Sequence, residues 1–297
     1  MKGAADGLLV IVLALAIGLW VFNASKGEVE ERPAFVGPSS ILTTAKSGNE
    51  TTGKKWYEYL NLKKIKSDPV PEENRSIYRG LLSITRNNNS VRNSDAGKEF
   101  ITLSYSANAS SSITLTGFAL ESDVNKLGAF IPNAATELSS TTAGAAPLTL
   151  APGESVVIVT GASPLGISFK ETVCTGYLDA EVFVPSLSLM CPDATQSWQS
   201  YAAQKNVVDG DCDAEVATIE TCEQFDAIPE SVGNTCASFI KERLSYDACV
   251  ATYSAVDGYD LGLWRVYLGL SKELYGNVRD TITLRDNEKK VVDFFSY

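Results

Sequence analysis

Hydrophobic and polar residues alternate with a period of two over several short stretches after Ile77, which places successive side chains on opposite faces of an extended strand. Leu82 and Ile84 alternate with Ser83 and Thr85, and Ile101, Leu103 and Tyr105 with Thr102 and Ser104. Ile113 and Leu115 alternate with Thr114 and Thr116, and Phe118 and Leu120 follow Gly117. Pro152-Gly153, a turn signal, then introduces Val156-Val157-Ile158-Val159, an unbroken apolar run that predicts a strand buried on both faces. Short strands at this spacing predict an antiparallel sandwich.

The alternation fails between residues 174 and 263. There the stretches 213–225 and 235–254 read as helices, with Phe239, Ile240 and Leu244 on one side. Strand character returns at 264–268, 281–284 and 291–295, and the polar stretch 285–290 between the last two predicts a hairpin turn. Trp264 and Tyr267 are expected as strand-face or core aromatics. The expected architecture is mainly β: one sandwich in two parts, 77–173 and 264–297, interrupted by a helical insertion over 174–263.

The N-terminal end has a different pattern. Residues 8–22 form an apolar run of 15 residues, with Lys2 before it and an acidic flank, Glu28 to Glu31, after it. A spanning helix needs roughly 20 predominantly apolar residues, whereas the apolar centre of a cleaved signal has about 7–15. Residues 1–27 are therefore expected to be one transmembrane signal anchor, with signal cleavage and pilin-like processing after Gly3 as alternatives. The basic flank stays inside, so the remainder is expected outside the cell. Residues 28–76 form a polar spacer containing one basic aromatic patch, Lys54 to Lys66.

The cysteines fit an extracellular compartment. Cys174, Cys191, Cys212, Cys222, Cys236 and Cys249 all lie in one 76-residue stretch, and their even number predicts up to three disulfides. The expected pairs are Cys174–Cys191, Cys212–Cys249 and Cys222–Cys236. The chain contains no histidine, which excludes serine–histidine and cysteine–histidine nucleophilic catalysis and imidazole-bound zinc. Residues 174–263 carry 15 acids against 3 bases, so the whole of the net charge of −11 falls there and the remainder of the chain is close to neutral. Such a surface argues against nucleic acid as a partner, because phosphates need basic groups.

Several segments form a familiar set. Glu99-Phe-Ile-Thr-Leu103, Leu115-Thr-Gly-Phe-Ala-Leu120, the turn and strand from Leu150 to Gly161, and the closing hairpin from Asp280 to Asp293 resemble the lamin-tail domain. The whole layout is similar to a membrane-anchored bacterial subgroup with a cysteine-rich insertion. That resemblance implies an immunoglobulin-like sandwich and an accessory module that attaches its carrier to membranes, surfaces or neighbours. It brings no catalytic residues, and the chain has no heptad rod, so filament formation is not implied.

The best candidate for site chemistry is the stretch from Asp209 to Glu220. Asp209, Asp211 and Asp213 occupy the first, third and fifth positions of a calcium loop and Glu220 the twelfth. Ala214 stands where such a loop needs glycine. An acidic helix start, favoured by the helix dipole, accounts for the same residues. No other cofactor is expected. Asn23, Asn49, Asn74, Asn88 and Asn108 begin N-x-[ST] triplets. Gly161-Ala-Ser-Pro-Leu-Gly166 has the wrong spacing for a nucleophile elbow and reads as a turn. The function expected is a non-enzymatic, membrane-tethered surface module contacting an envelope polymer or protein. A pilin-like assembly subunit and a carboxylate-dependent hydrolase are the alternatives.

Overall fold

The computed structural model describes residues 68–297 apart from 87–88, 139–143, 179, 226–227 and 229–231. The apolar run 8–22, the basic aromatic patch, most of the polar spacer, and Asn23, Asn49 and Asn88 lie outside the described residues. The described chain is mainly β, with a few short helices between two late strands.

Strands β1 (Leu82–Thr85), β2 (Phe100–Tyr105), β7 (Ser155–Val159), β8 (Phe169–Thr172) and β9 (Asp260–Tyr267) form a five-stranded sheet in the order β1-β2-β7-β9-β8. Its pairings are antiparallel except β7 with β9, where Val156 faces Trp264 and Val159 faces Tyr267. A four-stranded sheet has the order β11-β10-β4-β5, from β4 (Ala119–Ser122), β5 (Gly128–Phe130), β10 (Thr281–Arg285) and β11 (Val291–Ser296). The short ribbon β3 (Ile113–Thr114) with β6 (Thr149–Leu150) is hydrogen-bonded to neither sheet, but its Ile113 and Leu150 pack in the core the two sheets share. The strands after the helical segment thus complete both sheets.

Alternation explains the packing. Leu82, Ile84, Ile101, Leu103, Val156, Ile158, Trp264 and Val266 from the first sheet share one apolar cluster with Leu120, Ile282, Leu284, Val292 and Phe295 from the second. Each such side chain, fully buried, stabilises the fold by about 1.5–3 kcal/mol relative to exposure. The run Val156–Val159 is buried on both faces, because Val157 and Val159 meet a second cluster with Phe169, Phe183, Leu187 and Tyr267. Trp264 and Tyr267 are buried strand residues. The turn 161–166 is fastened by the Ser163 hydroxyl, which donates to the Ile167 carbonyl at 2.7 Å and accepts from Leu165 N–H at 3.2 Å.

The chain leaves β8 and returns to β9 at neighbouring points of one antiparallel pair, and Val173 N–H donates to the Tyr259 carbonyl at 2.9 Å. Between them lie α1 (Ala194–Lys205), α2 (Gly210–Val216), α3 (Asn234–Arg243) and α4 (Tyr246–Tyr253). They differ from the expected helices in three ways. The first, α1, was not foreseen. The expected helix 213–225 is shorter and starts earlier, as α2. The expected helix 235–254 is divided, because Ser245 caps a new helix by accepting from Ala248 N–H. Phe239, Ile240 and Leu244 are buried as the spacing predicts.

This segment has an apolar cluster of its own, with Trp198, Tyr201, Val216, Phe239 and Ile240 packed among all six cysteines. The Trp198, Tyr201 and Phe239 rings lie 5.3–5.9 Å apart, centroid to centroid, in two edge-on contacts and one stack.

Candidate interaction surfaces

All six cysteines are in disulfides, but with none of the expected partners. The bridges are Cys174–Cys249, Cys191–Cys222 and Cys212–Cys236. Packing of the helices decides this. Cys212 on α2 meets Cys236 on α3, and Cys249 on α4 reaches back to Cys174 just beyond β8. Cys191–Cys222 joins two irregular stretches, and Cys191 N–H donates to the Cys222 sulfur at 3.2 Å. Gly176 packs directly on this bridge, where a Cβ would collide with both sulfurs.

Two of the four calcium-loop side chains, Asp209 and Asp213, make local structural hydrogen bonds. Asp209 caps α2, its carboxylate accepting from Cys212 N–H at 3.1 Å. Asp213, one turn on, accepts from the Trp198 indole N–H at 2.5 Å. Asp211 is in the first turn of α2, and Glu220 lies beyond the helix, where its N–H donates to Glu223 at 2.8 Å. Asp209, Asp211 and Glu215 line a hollow of about 290 Å³ beside Cys212–Cys236. No group of three or more Cys, Asp or Glu side chains disposed to hold a metal ion occurs among the described residues. Gly210 begins α2, so Asp211 and Asp213 lie on a helix and not in an open loop.

Two buried polar assemblies went unseen in the sequence. In the first, Arg265 (2 % exposed) pairs with Glu171 (0 %) through Nε and Oε1. Its other nitrogens donate to the carbonyls of Pro185 and, at 2.6 Å, Ser186, while Glu171 Oε2 accepts from Ser188 N–H at 3.1 Å. One ion pair therefore fixes the strap 185–188 over the outer face of the five-stranded sheet.

The second assembly holds the connection between β9 and β10. Glu99, fully buried, accepts from the N–H groups of Leu274 at 2.7 Å and Tyr275 at 3.0 Å. Burial pushes its carboxyl above the ordinary glutamate value. Asp280 accepts from Gly276 N–H at 2.9 Å, Val124 N–H at 3.0 Å, Thr281 N–H at 2.7 Å and the Ser122 hydroxyl. Burial alone would raise this carboxyl, but these four hydrogen bonds hold it below the ordinary aspartate value. Asp280 thereby locks the β4–β5 turn to the β9–β10 connection.

Two larger hollows lie elsewhere on the described surface. One, of about 380 Å³, crosses the outer face of the four-stranded sheet over Glu121, Lys126, Gly128, Thr283 and Arg285. The other, of about 320 Å³, is lined by Ile77, Tyr78, Ser112, Asn287 and Lys290. Strand β5 ends its sheet, with no further strand beyond it among the described residues. Asn74 and Asn108 are both exposed. No helix among the described residues is long and apolar enough to cross a membrane.

Comparison with protein families, curated proteins and solved structures finds no match to this chain.

Proposed function

We propose that the chain is a non-enzymatic interaction module of the cell surface, tethered by its N-terminal apolar run and facing outward. On this reading the two sheets are a lamin-tail-like, immunoglobulin-like sandwich, and the cysteine-rich helices are the recognition surface for an envelope polymer or protein. The observation that carries it is the grafting of a separately cored, triply bridged helical segment onto two adjacent strands of a rigid scaffold. Binding surfaces are commonly mounted on rigid frames in this way. Three bridges, all in one segment, also suit an oxidising compartment outside the cell.

The test is co-sedimentation of residues 28–297 with isolated cell envelopes, with and without calcium. Pelleting that is lost when the three bridges are reduced is the expected result. Pelleting that persists after the helical segment is replaced by a short turn would remove recognition from the helices. Absence of pelleting in either condition would overturn attachment to the envelope. Dependence on calcium would return Asp209, Asp211, Asp213 and Glu220 to consideration as ligands.

A further inference from the structure

In a chain that faces out of the cell, an asparagine that begins an N-x-[ST] triplet on a surface loop is an acceptor for N-linked sugar. Transfer engages two groups at once, the asparagine amide and the hydroxyl two residues on. Two such triplets lie wholly among the described residues, Asn74-Arg75-Ser76 and Asn108-Ala109-Ser110. Folding treats them differently. Asn74 is exposed, but Ser76 is 5 % exposed and held twice. Its hydroxyl accepts from Tyr78 N–H at 3.1 Å, and its own N–H donates to the Val291 carbonyl at 3.1 Å. A transferase that meets the folded chain there reaches the amide and not the hydroxyl.

Both groups are free in the second triplet. Asn108 and Ser110 are exposed, and neither side chain enters a hydrogen bond with another described residue. They sit in the connection from β2 to β3, which is fastened at its two ends. Ser106 N–H donates to the Leu81 carbonyl at 2.8 Å, and the Tyr105 hydroxyl donates to the Ser111 carbonyl at 2.8 Å. Between these points the turn is held by backbone donors: Asn108 N–H meets the Ser106 hydroxyl at 3.2 Å, and Ala109 N–H meets the Ser106 carbonyl at 3.1 Å. A sugar on the Asn108 amide therefore displaces no buried group and breaks none of these hydrogen bonds.

We propose that Asn108 is the acceptor of an N-linked glycan added to the folded chain, and that Asn74 stays unmodified. The donor class is an oligosaccharide carried on a lipid pyrophosphate. The Asn108 amide nitrogen bonds to C1 of the first sugar as the bond from C1 to the pyrophosphate oxygen breaks. The lipid pyrophosphate leaves, and the amide gives up one proton. This inference rests on the outward-facing reading above and adds a modification site to it.

The test is peptide mass analysis of the full chain isolated from the cells that naturally make it. Cleavage after Lys98 and Lys126 yields peptide 99–126, which holds Asn108 and no other N-x-[ST] triplet. That peptide should be heavier by one oligosaccharide, placed on Asn108 by fragmentation, and the peptide containing Asn74 should be unshifted. Asn108→Gln and Ser110→Ala, both in the exposed turn, should abolish the shift, and Ser110→Thr should keep it. In a parallel sample an impermeant amine-reactive reagent, applied to intact cells, reports whether the exposed Lys205 and Lys241 face outward. Labelled lysines with an unshifted 99–126 overturn the glycan and leave the outward-facing reading standing. Unlabelled lysines with an unshifted peptide overturn both. Sugar placed on Ser110, Ser111 or Ser112 overturns the assignment to Asn108, and sugar on Asn74 as well overturns addition after folding.

Discussion

Glu99 and Asp280 are two buried carboxylates that hold one connection yet respond to pH in opposite senses. The carboxyl of Glu99 is raised by burial, so the folded state keeps its proton to a higher pH than the unfolded chain does. Its contribution is most favourable when both states are protonated and declines as pH rises out of the ordinary glutamate range. Asp280 is held below its ordinary value, so its stabilisation is present at neutral pH and is lost as pH falls through the folded-state value. Thermal midpoints measured across the acidic range should show Asp280→Asn losing part of the acid-side fall and Glu99→Gln losing the opposing trend. Profiles unchanged in both variants would refute the assignment. Arg265 and Glu171 are a different case, a buried pair in which each charge depends on the other. Removing one partner, as in Glu171→Gln or Arg265→Ala, should cost about 3–5 kcal/mol in denaturant titration. Replacing both with apolar residues of similar volume should recover much of that loss. None of these roles is legible in the sequence, because each depends on partners about ninety or more residues away in the chain.

Among the elements, the strands were readable and the helices only partly so. A period of two survives wherever one face of a strand is buried, and β1, β2 and β10 keep it without interruption. The helices of the cysteine-rich segment bury few apolar residues each: α1 contributes little beyond Trp198 and Tyr201. Its start was nevertheless signalled. Asp193-Ala-Thr-Gln196 is a capping-box sequence, and Asp193 accepts from Gln196 N–H at 2.8 Å. The disulfide pairs were not legible, since nesting along the chain carries no information about which helix faces which. Once known, they make a local prediction. Gly176→Ala would drive a methyl group into Cys191–Cys222, and overpacking of this kind costs about 1–3 kcal/mol. The change should lower the unfolding midpoint of the oxidised protein and have much less effect after reduction. An equal loss in both states would place the strain elsewhere.

For the molecule as a whole, the apolar side chains fall into a cluster between the sheets, a second on the outer face of the five-stranded sheet and a third within the cysteine-rich helices. Reduction should therefore act unevenly, destabilising the helical segment by about 2–5 kcal/mol per bridge lost and leaving exchange protection in β2, β7 and β10 largely intact. Joining Val173 to Tyr259 through a short turn would keep the hairpin end that their 2.9 Å hydrogen bond marks. It should nevertheless destabilise the five-stranded sheet, because it removes the strap 185–188 bound to Arg265 and Glu171 and the Phe183 and Leu187 cover of Val157 and Val159. Loss of all strand protection on reduction alone would show that the clusters form one cooperative unit. The return of the chain to its point of departure also bears on how fast the protein assembles. The parallel pairing of β7 with β9 joins segments separated by the entire helical excursion, and a search over that contour is slow because closure entropy precedes any gain from pairing. Cys174–Cys249 spans 75 residues and delivers the end of that excursion to the end of β8. Oxidised chains should thus refold faster than reduced ones, with β9 arriving as a near neighbour of its partners and not as a distant stranger.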